Sequence, residues 1–147
     1  MATGRLSIMV KIREAKYKDF PQLLNLFKAL REKSPFKNKT FNEAAVQRSF
    51  VVAIHYGFSK VVEQDGEIVG SMFGTIGMNQ WGMTCAYDQF TFTPIKTPQL
   101  LKLFKFWAKE NGAEEVFITN IIGSERYNQL IQRLGFTTQS HTFSQGV

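Results

Sequence analysis

The stretch from Met83 to Gly112 constrains the fold more than any other. It opens with an extended run from Met83 to Thr93, stops at Pro94, and crosses Ile95-Lys96-Thr97-Pro98 into a periodic segment. There Leu100, Leu103, Phe104 and Trp107 recur on one helical stripe, while Lys102, Lys105 and Lys109 fall on the solvated side. Asn111-Gly112 is a helix stop. The reading is a strand, a tight connection and an amphipathic helix. A strand that feeds a helix N-terminus is also a natural place for an anion, because unpaired N–H groups and the helix dipole converge there.

The flanking sequence supplies the other elements. Ser7 to Arg13 alternates, with Ile8, Val10 and Ile12 on one face, as a first strand. Asp19 suits an N-cap and Pro21 a first helical turn. Phe20, Leu23, Leu24, Phe27 and Leu30 continue that helix to about Lys33, where Ser34 precedes Pro35. A polar, basic loop follows from Pro35 to Thr40. A second helix spans Asn42 to about Ala53, with Ala45, Val46, Ser49, Phe50 and Ala53 inward; Phe50 to Ile54 also fits a strand. Phe58 to Gln64 and Glu67 to about Met78 form a hairpin around Asp65-Gly66, a pair that accepts the positive φ angles of a tight turn. Gly70, Gly74 and Gly77 mark a bulge or the close approach of another backbone. Asn79 to Gly82 turns the chain into the Met83 strand. Glu115 to Asn120 is a short strand, Ser124 caps a helix to Leu134, and Phe136 to Phe143 alternates as a last strand. The order βααβββαβαβ implies a mixed α/β (α+β) fold: an antiparallel meander, two parallel crossovers and helices on both faces.

With 147 residues and no linker or repeat, one domain over residues 1–147 is expected. Fourteen Phe foretell a phenylalanine-rich core. The net charge of +6 suits an acidic protein, a nucleic acid or an anionic cofactor as partner, or serves solubility alone. The single Cys85 excludes an internal disulfide and suits a reducing, cytoplasmic setting. The short N-terminal apolar run is neither a signal peptide nor a membrane span. His55 and His141 have no spacing that makes a metal site or a triad.

This element order, with Asp65-Gly66 after the second strand and Leu134-Gly135-Phe136 near the end, resembles the GNAT superfamily of acyl-CoA-dependent N-acetyltransferases. Ser124 to Phe136 is similar to the family's Asn-x-x-Ala-x-x-Leu-Tyr-x-x-x-Gly-Phe pattern. The resemblance implies acetyl-CoA as acyl donor, an amine as acceptor and no metal. By element, Asp88 takes the place of a family general base. Tyr127 stands where the family has a small residue, and either fills the cofactor channel or supplies the phenol of a general acid. Ile131 occupies the usual position of that acid. Pro94 matches the family's proline after the strand, but Ile95 to Gln99 replaces its glycine-rich phosphate loop. Phe92, Thr93, Lys96, Thr97, Gln99 and Ser124 are the remaining cofactor contacts that the resemblance implies. Pro98 lacks an N–H donor, and a Thr97 hydroxyl acting as cap would occupy others.

Two functions remain open at this point. One is an N-acetyltransferase. The other is a catalytically inactive binding or assembly protein, similar to the short GNAT-like proteins of tailed bacteriophages, some of which travel in the virion. Nucleic acid and membrane are not expected partners, and a homo-oligomer is compatible with the sequence.

Overall fold

The computed structural model describes residues 9–140 and 142–147. Ser7 and Ile8 of the first strand, and His141, lie outside the described residues. The elements are β1 (Val10–Glu14), α1 (Phe20–Lys33), α2 (Glu43–Tyr56), β2 (Phe58–Gln64), β3 (Glu67–Met78), β4 (Thr84–Phe92), α3 (Thr97–Glu110), β5 (Glu115–Phe117) and α4 (Glu125–Arg133). They build a five-stranded sheet in the order β1-β2-β3-β4-β5. The first four strands pair antiparallel, and β5 joins β4 in parallel after the α3 crossover.

The two apolar faces are covered separately. On one, Leu23 and Phe27 of α1 and Phe50 and Ala53 of α2 pack on Val61, Ile68 and Phe73. On the other, Leu100, Leu101, Phe104 and Ala108 of α3 pack on Phe58, Val62, Met72 and Ala86. The buried stripe of α3 is therefore rotated from the expected one: Leu101 is inside, and Leu103 is 39% exposed. Trp107 is half-buried and stacks on Phe104 with ring centroids 5.7 Å apart.

Phe104 also explains a glycine. A Cβ on Gly74 would lie 2.3 Å from the Phe104 ring, and one on Gly70 would lie 2.3 Å from the Thr93 hydroxyl. Both glycines also stand at register shifts, Gly74 in the pairing of β3 with β4 and Gly70 in that of β2 with β3, as the bulge reading expects.

Asp65 and Gly66 take φ of 51° and 84°, the pair of positive angles of a type I′ turn. Asp65 also accepts from the Met9 N–H at 3.0 Å, so the turn clasps the start of β1. Gly66→Val forces a β-branched residue into the left-handed region, at a cost of roughly 1–2 kcal/mol. A matching fall of the urea midpoint is the expected result.

Several expectations need correction. Asp19 stands at the head of α1 but makes no side-chain cap. Its carboxylate instead accepts two hydrogen bonds from Arg13, at 2.8 and 2.9 Å, and one from the Lys16 N–H at 2.8 Å, which closes the 3-10 turn Tyr17–Asp19 ahead of α1. Thr97 does not cap α3 either: it is buried as the first helical residue, behind Lys96 in the left-handed conformation with φ 65°. The second helix runs on to Tyr56, which settles Phe50 to Ile54 as helical. There is one parallel crossover rather than two, since no final strand forms among the described residues 136–140 and 142–147. Phe136 packs beside α3, but residues 137–140 are exposed and Phe143 is 92% exposed. Without an apolar row to bury, that alternation has nothing to hold it on the sheet edge.

Candidate active site

A bulge in β4 creates the site. Phe73 pairs with Phe90 and Gly74 with Asp88, so Gln89 is an extra residue between them. The bulge reverses the strand's faces. Ala86 lies on the α3 side, whereas Phe90 packs under α1 and α2. Asp88 therefore does not share a face with Phe90 and Phe92, as simple alternation implies. Phe92 lies toward α1, where the Lys33 ammonium sits 5.3 Å from its ring.

Pairing of β4 with β5 ends at Tyr87 and Phe117. Just beyond, the Asp88 carboxylate accepts from the Thr119 N–H and from the Thr91 hydroxyl, each at 3.0 Å. It thus bridges the point where the two strands part. Burial pushes the Asp88 carboxyl up to about 6, and the two hydrogen bonds only partly oppose that.

Tyr127 stands in the first turn of α4. Ser124 caps this helix by accepting from the Tyr127 N–H at 3.2 Å, so the Ser124 oxygen is occupied by the cap. Asn120 braces the same turn, donating to the Ser124 carbonyl and to Asn128 at 2.8 and 2.7 Å. The Tyr127 hydroxyl is buried with no hydrogen-bond partner among the described residues. Burial raises its pKa, and the charge of Asp88 raises it further. Asp88 and Tyr127 are thus brought into electrostatic contact although 39 positions separate them.

The other residues singled out from the sequence are divided. Thr93 packs on Gly70, and its hydroxyl contacts the Ile95 carbonyl. Lys96 and Gln99 are exposed at the N-terminus of α3. That terminus offers the backbone N–H groups of Thr97 and Gln99 but none from Pro98. Sequence reading missed Thr91 and the Thr119 N–H as partners of Asp88, and Gln89 as the bulge; only strand pairing reveals the last two.

Two hollows adjoin these elements. A cleft of about 340 Å³ lies between α1, α2 and the bulge, and includes Gln89, Phe90 and Ile121 in its wall. A larger hollow of about 740 Å³ borders β5, α4 and the tail from Phe136 to Ser140. It contains neither Asp88 nor Tyr127.

Strand order, the bulged β4 and its divergence from β5 define the GNAT acyltransferase fold. Solved structures agree over nearly the whole chain. A predicted acetyltransferase with acetyl-CoA from Clostridium acetobutylicum matches with TM-score 0.70 and 14% identity, over 94% of this chain and 96% of that one. Glucosamine-6-phosphate N-acetyltransferase from Arabidopsis thaliana matches with TM-score 0.69 and 13% identity, over 94% and 98%. A transcriptional regulator from Bacillus halodurans C-125 matches with TM-score 0.71 and 20% identity, over 95% and 100%. No family model and no curated protein matches the sequence. No helix among the described residues is long and apolar enough to cross a membrane.

Proposed function

We propose that this protein transfers an acetyl group from acetyl-CoA to an amine. The observation that carries the reading is the buried, unpartnered Tyr127 hydroxyl beside an Asp88 raised to about 6, at the parting of β4 and β5. A buried phenol left without a partner costs stability, which favours a ligand that completes it. The similar structures named as acetyltransferases, one holding acetyl-CoA, support the same substrate class.

Acetyl-CoA supplies the thioester carbonyl that the amine attacks. At neutral pH Asp88 is largely ionised and can take the amine's proton at a carboxylate oxygen. Tyr127 keeps its proton and can donate it from the phenol oxygen to the departing sulfur. Thr119 and Thr91 hold the carboxylate in place. Lys96 and the N–H groups of Thr97 and Gln99 are the groups available to the cofactor's phosphates.

Tyr127→Phe separates the phenol as acid from the ring as filler. Its hydroxyl has no hydrogen-bond partner among the described residues, so the variant is expected to be as stable as the parent or more so. Acetyl transfer, followed by release of the free thiol, is expected to fall by about 10²-fold if the phenol is the acid. An unchanged rate assigns Tyr127 to packing.

The β4–α3 connection favours a second reading, a GNAT-fold binding or assembly module without catalysis, of the kind found in bacteriophages. Between Pro94 and Gly112 there is no glycine, and Pro98 cannot donate. Each lost hydrogen bond to a charged oxygen costs about 1.5–3 kcal/mol, so two or three losses turn micromolar affinity into millimolar. Calorimetric titration with acetyl-CoA, CoA and desulfo-CoA decides between the readings. Binding near micromolar supports the enzyme; millimolar or weaker binding of all three supports the module.

A further inference from the structure

The bulge in β4 also sets a hydroxyl against Asp88. Residues directly opposite one another in a sheet share a face, and the face alternates along each strand. On β3, Met72 and Gly74 look toward α3: Met72 belongs to the core beneath that helix, and a Cβ on Gly74 would meet the Phe104 ring. Met72 pairs with Thr91 and Gly74 with Asp88, while Phe73 between them pairs with Phe90 on the opposite face. Regular alternation puts residues i and i+3 on opposite faces; the extra Gln89 makes Asp88 and Thr91 neighbours on one face. The Thr91 hydroxyl therefore donates to Oδ2 of Asp88 at 3.0 Å.

The two carboxylate oxygens are served by different kinds of donor. Oδ1 accepts from the Thr119 N–H at 3.0 Å, and Oδ2 from the Thr91 side chain. Around them, α4 presents the Tyr127 hydroxyl, β3 presents Gly74 with no side chain, and α3 presents the Phe104 ring above Gly74. Burial is the largest influence on the Asp88 carboxyl and pushes it up. The Thr119 N–H, then the Thr91 hydroxyl, then the Asp88 N–H and the Thr119 hydroxyl draw it down. The groups that chiefly shift Asp88 include no Lys, Arg or His, so its charge leans on hydrogen bonds rather than on a cation.

We propose that Thr91 is a positioning residue: placed on the Asp88 face by the bulge, its hydroxyl holds Oδ2 as a carboxylate and keeps the base free to take a proton at neutral pH. The catalytic half of this inference rests on the acetyl-transfer reading. In that reaction an N–H bond of the amine breaks with its electron pair left on nitrogen, which is joined to the acetyl carbon, and the proton goes to Asp88. The departing sulfur takes a proton from Tyr127. Asp88 then releases its proton to solvent and Tyr127 regains one there, which restores both groups.

The test compares Thr91→Val, which keeps the branched shape without the hydroxyl, with Thr91→Ser, which keeps a hydroxyl. Carbon-13 NMR of labelled aspartate carboxyls follows the titration of Asp88 in the protein without ligand, its signal being the one absent in Asp88→Asn. The rate of acetyl transfer is measured over the same range of pH. In Thr91→Val the midpoint of Asp88 is expected about one unit above that of the parent, and in Thr91→Ser close to the parent. A shift of about one unit leaves the carboxylate about half ionised near pH 7, so kcat/KM is expected to fall about fivefold near pH 6 and about twofold near pH 7, and to recover above about pH 8.5. A loss confined to low pH is not what a merely structural defect produces. An unmoved midpoint in Thr91→Val overturns the inference whether or not the rate falls, and leaves the acetyl-transfer reading standing. A midpoint as high in Thr91→Ser as in Thr91→Val also overturns it. A midpoint that moves while the rate profile stays in place, or a parent protein that transfers no acetyl group, overturns the acetyl-transfer reading and leaves Thr91 as the group that holds the carboxylate.

Discussion

Asp88→Asn is expected to lower acetyl transfer by roughly 10²–10⁴-fold, the usual scale for a lost general base, and to make the protein more stable at neutral pH. The second half follows from burial. Asp88 is raised from 3.8 to about 6, so between those values the folded protein holds a proton that the unfolded chain has released. Its contribution to stability therefore falls as pH rises from about 4 through about 6, and is lowest above that window. At pH 7 the charged carboxylate costs about 2–3 kcal/mol, from about two pKa units at 1.36 kcal/mol each. Asn keeps an oxygen for the Thr119 N–H and presents an amide to the Thr91 hydroxyl, so it removes the charge and keeps the bonds. A variant with less activity and a higher urea midpoint is the signature of a group held at a cost for chemistry. A variant that is less stable would show Asp88 to be a structural ion. The same titration gives the wild-type rate its pH profile: kcat/KM should rise with pH up to about 6 and level off above it.

Phe104→Ala is expected to destabilise the protein by about 3–5 kcal/mol, as truncation of a large core aromatic does. Phe104 is fully buried and lies 5.1 Å from the Phe58 ring and 5.7 Å from that of Trp107. It also occupies the space above Gly74, the residue paired with Asp88 across the bulge. The cavity would therefore open beneath the strand segment that carries the site. Trp107→Ala should cost less, because Trp107 is only half-buried. Urea unfolding of the two variants checks the order, and a larger loss at Trp107 would contradict the observed rotation of α3.

Much of the fold was legible in local sequence. Asp65-Gly66 marked the hairpin, Asn42 and Ser124 marked helix starts, and Gly135 marked a stop, because each of these depends on backbone geometry within a few residues. β2 and β3 took the bounds their alternation implied, and the βααβββαβα order followed. Asp88 and Tyr127 were singled out through the resemblance to the GNAT superfamily, the first by its element and the second by its distance from Gly135-Phe136.

Tertiary structure alone decided how these residues meet. Alternation assumes an unbroken pleat, so it could not show that Gln89 is extra and that Asp88 and Phe90 face opposite ways. A periodic stripe fixes a helix face only to within about one residue, and packing against Gly74 chose Leu101 over Leu103. Phe136 to Phe143 has the alternation of a strand, but pairing needs an apolar face and a partner edge together, and the chain supplies only Phe136. Asp19 was read as a cap because caps are local; Arg13 claimed it from the neighbouring strand. The burial that raises Asp88, and the missing partner of the Tyr127 hydroxyl, are properties of surroundings drawn from β4, β5 and α4. No window of sequence contains all three.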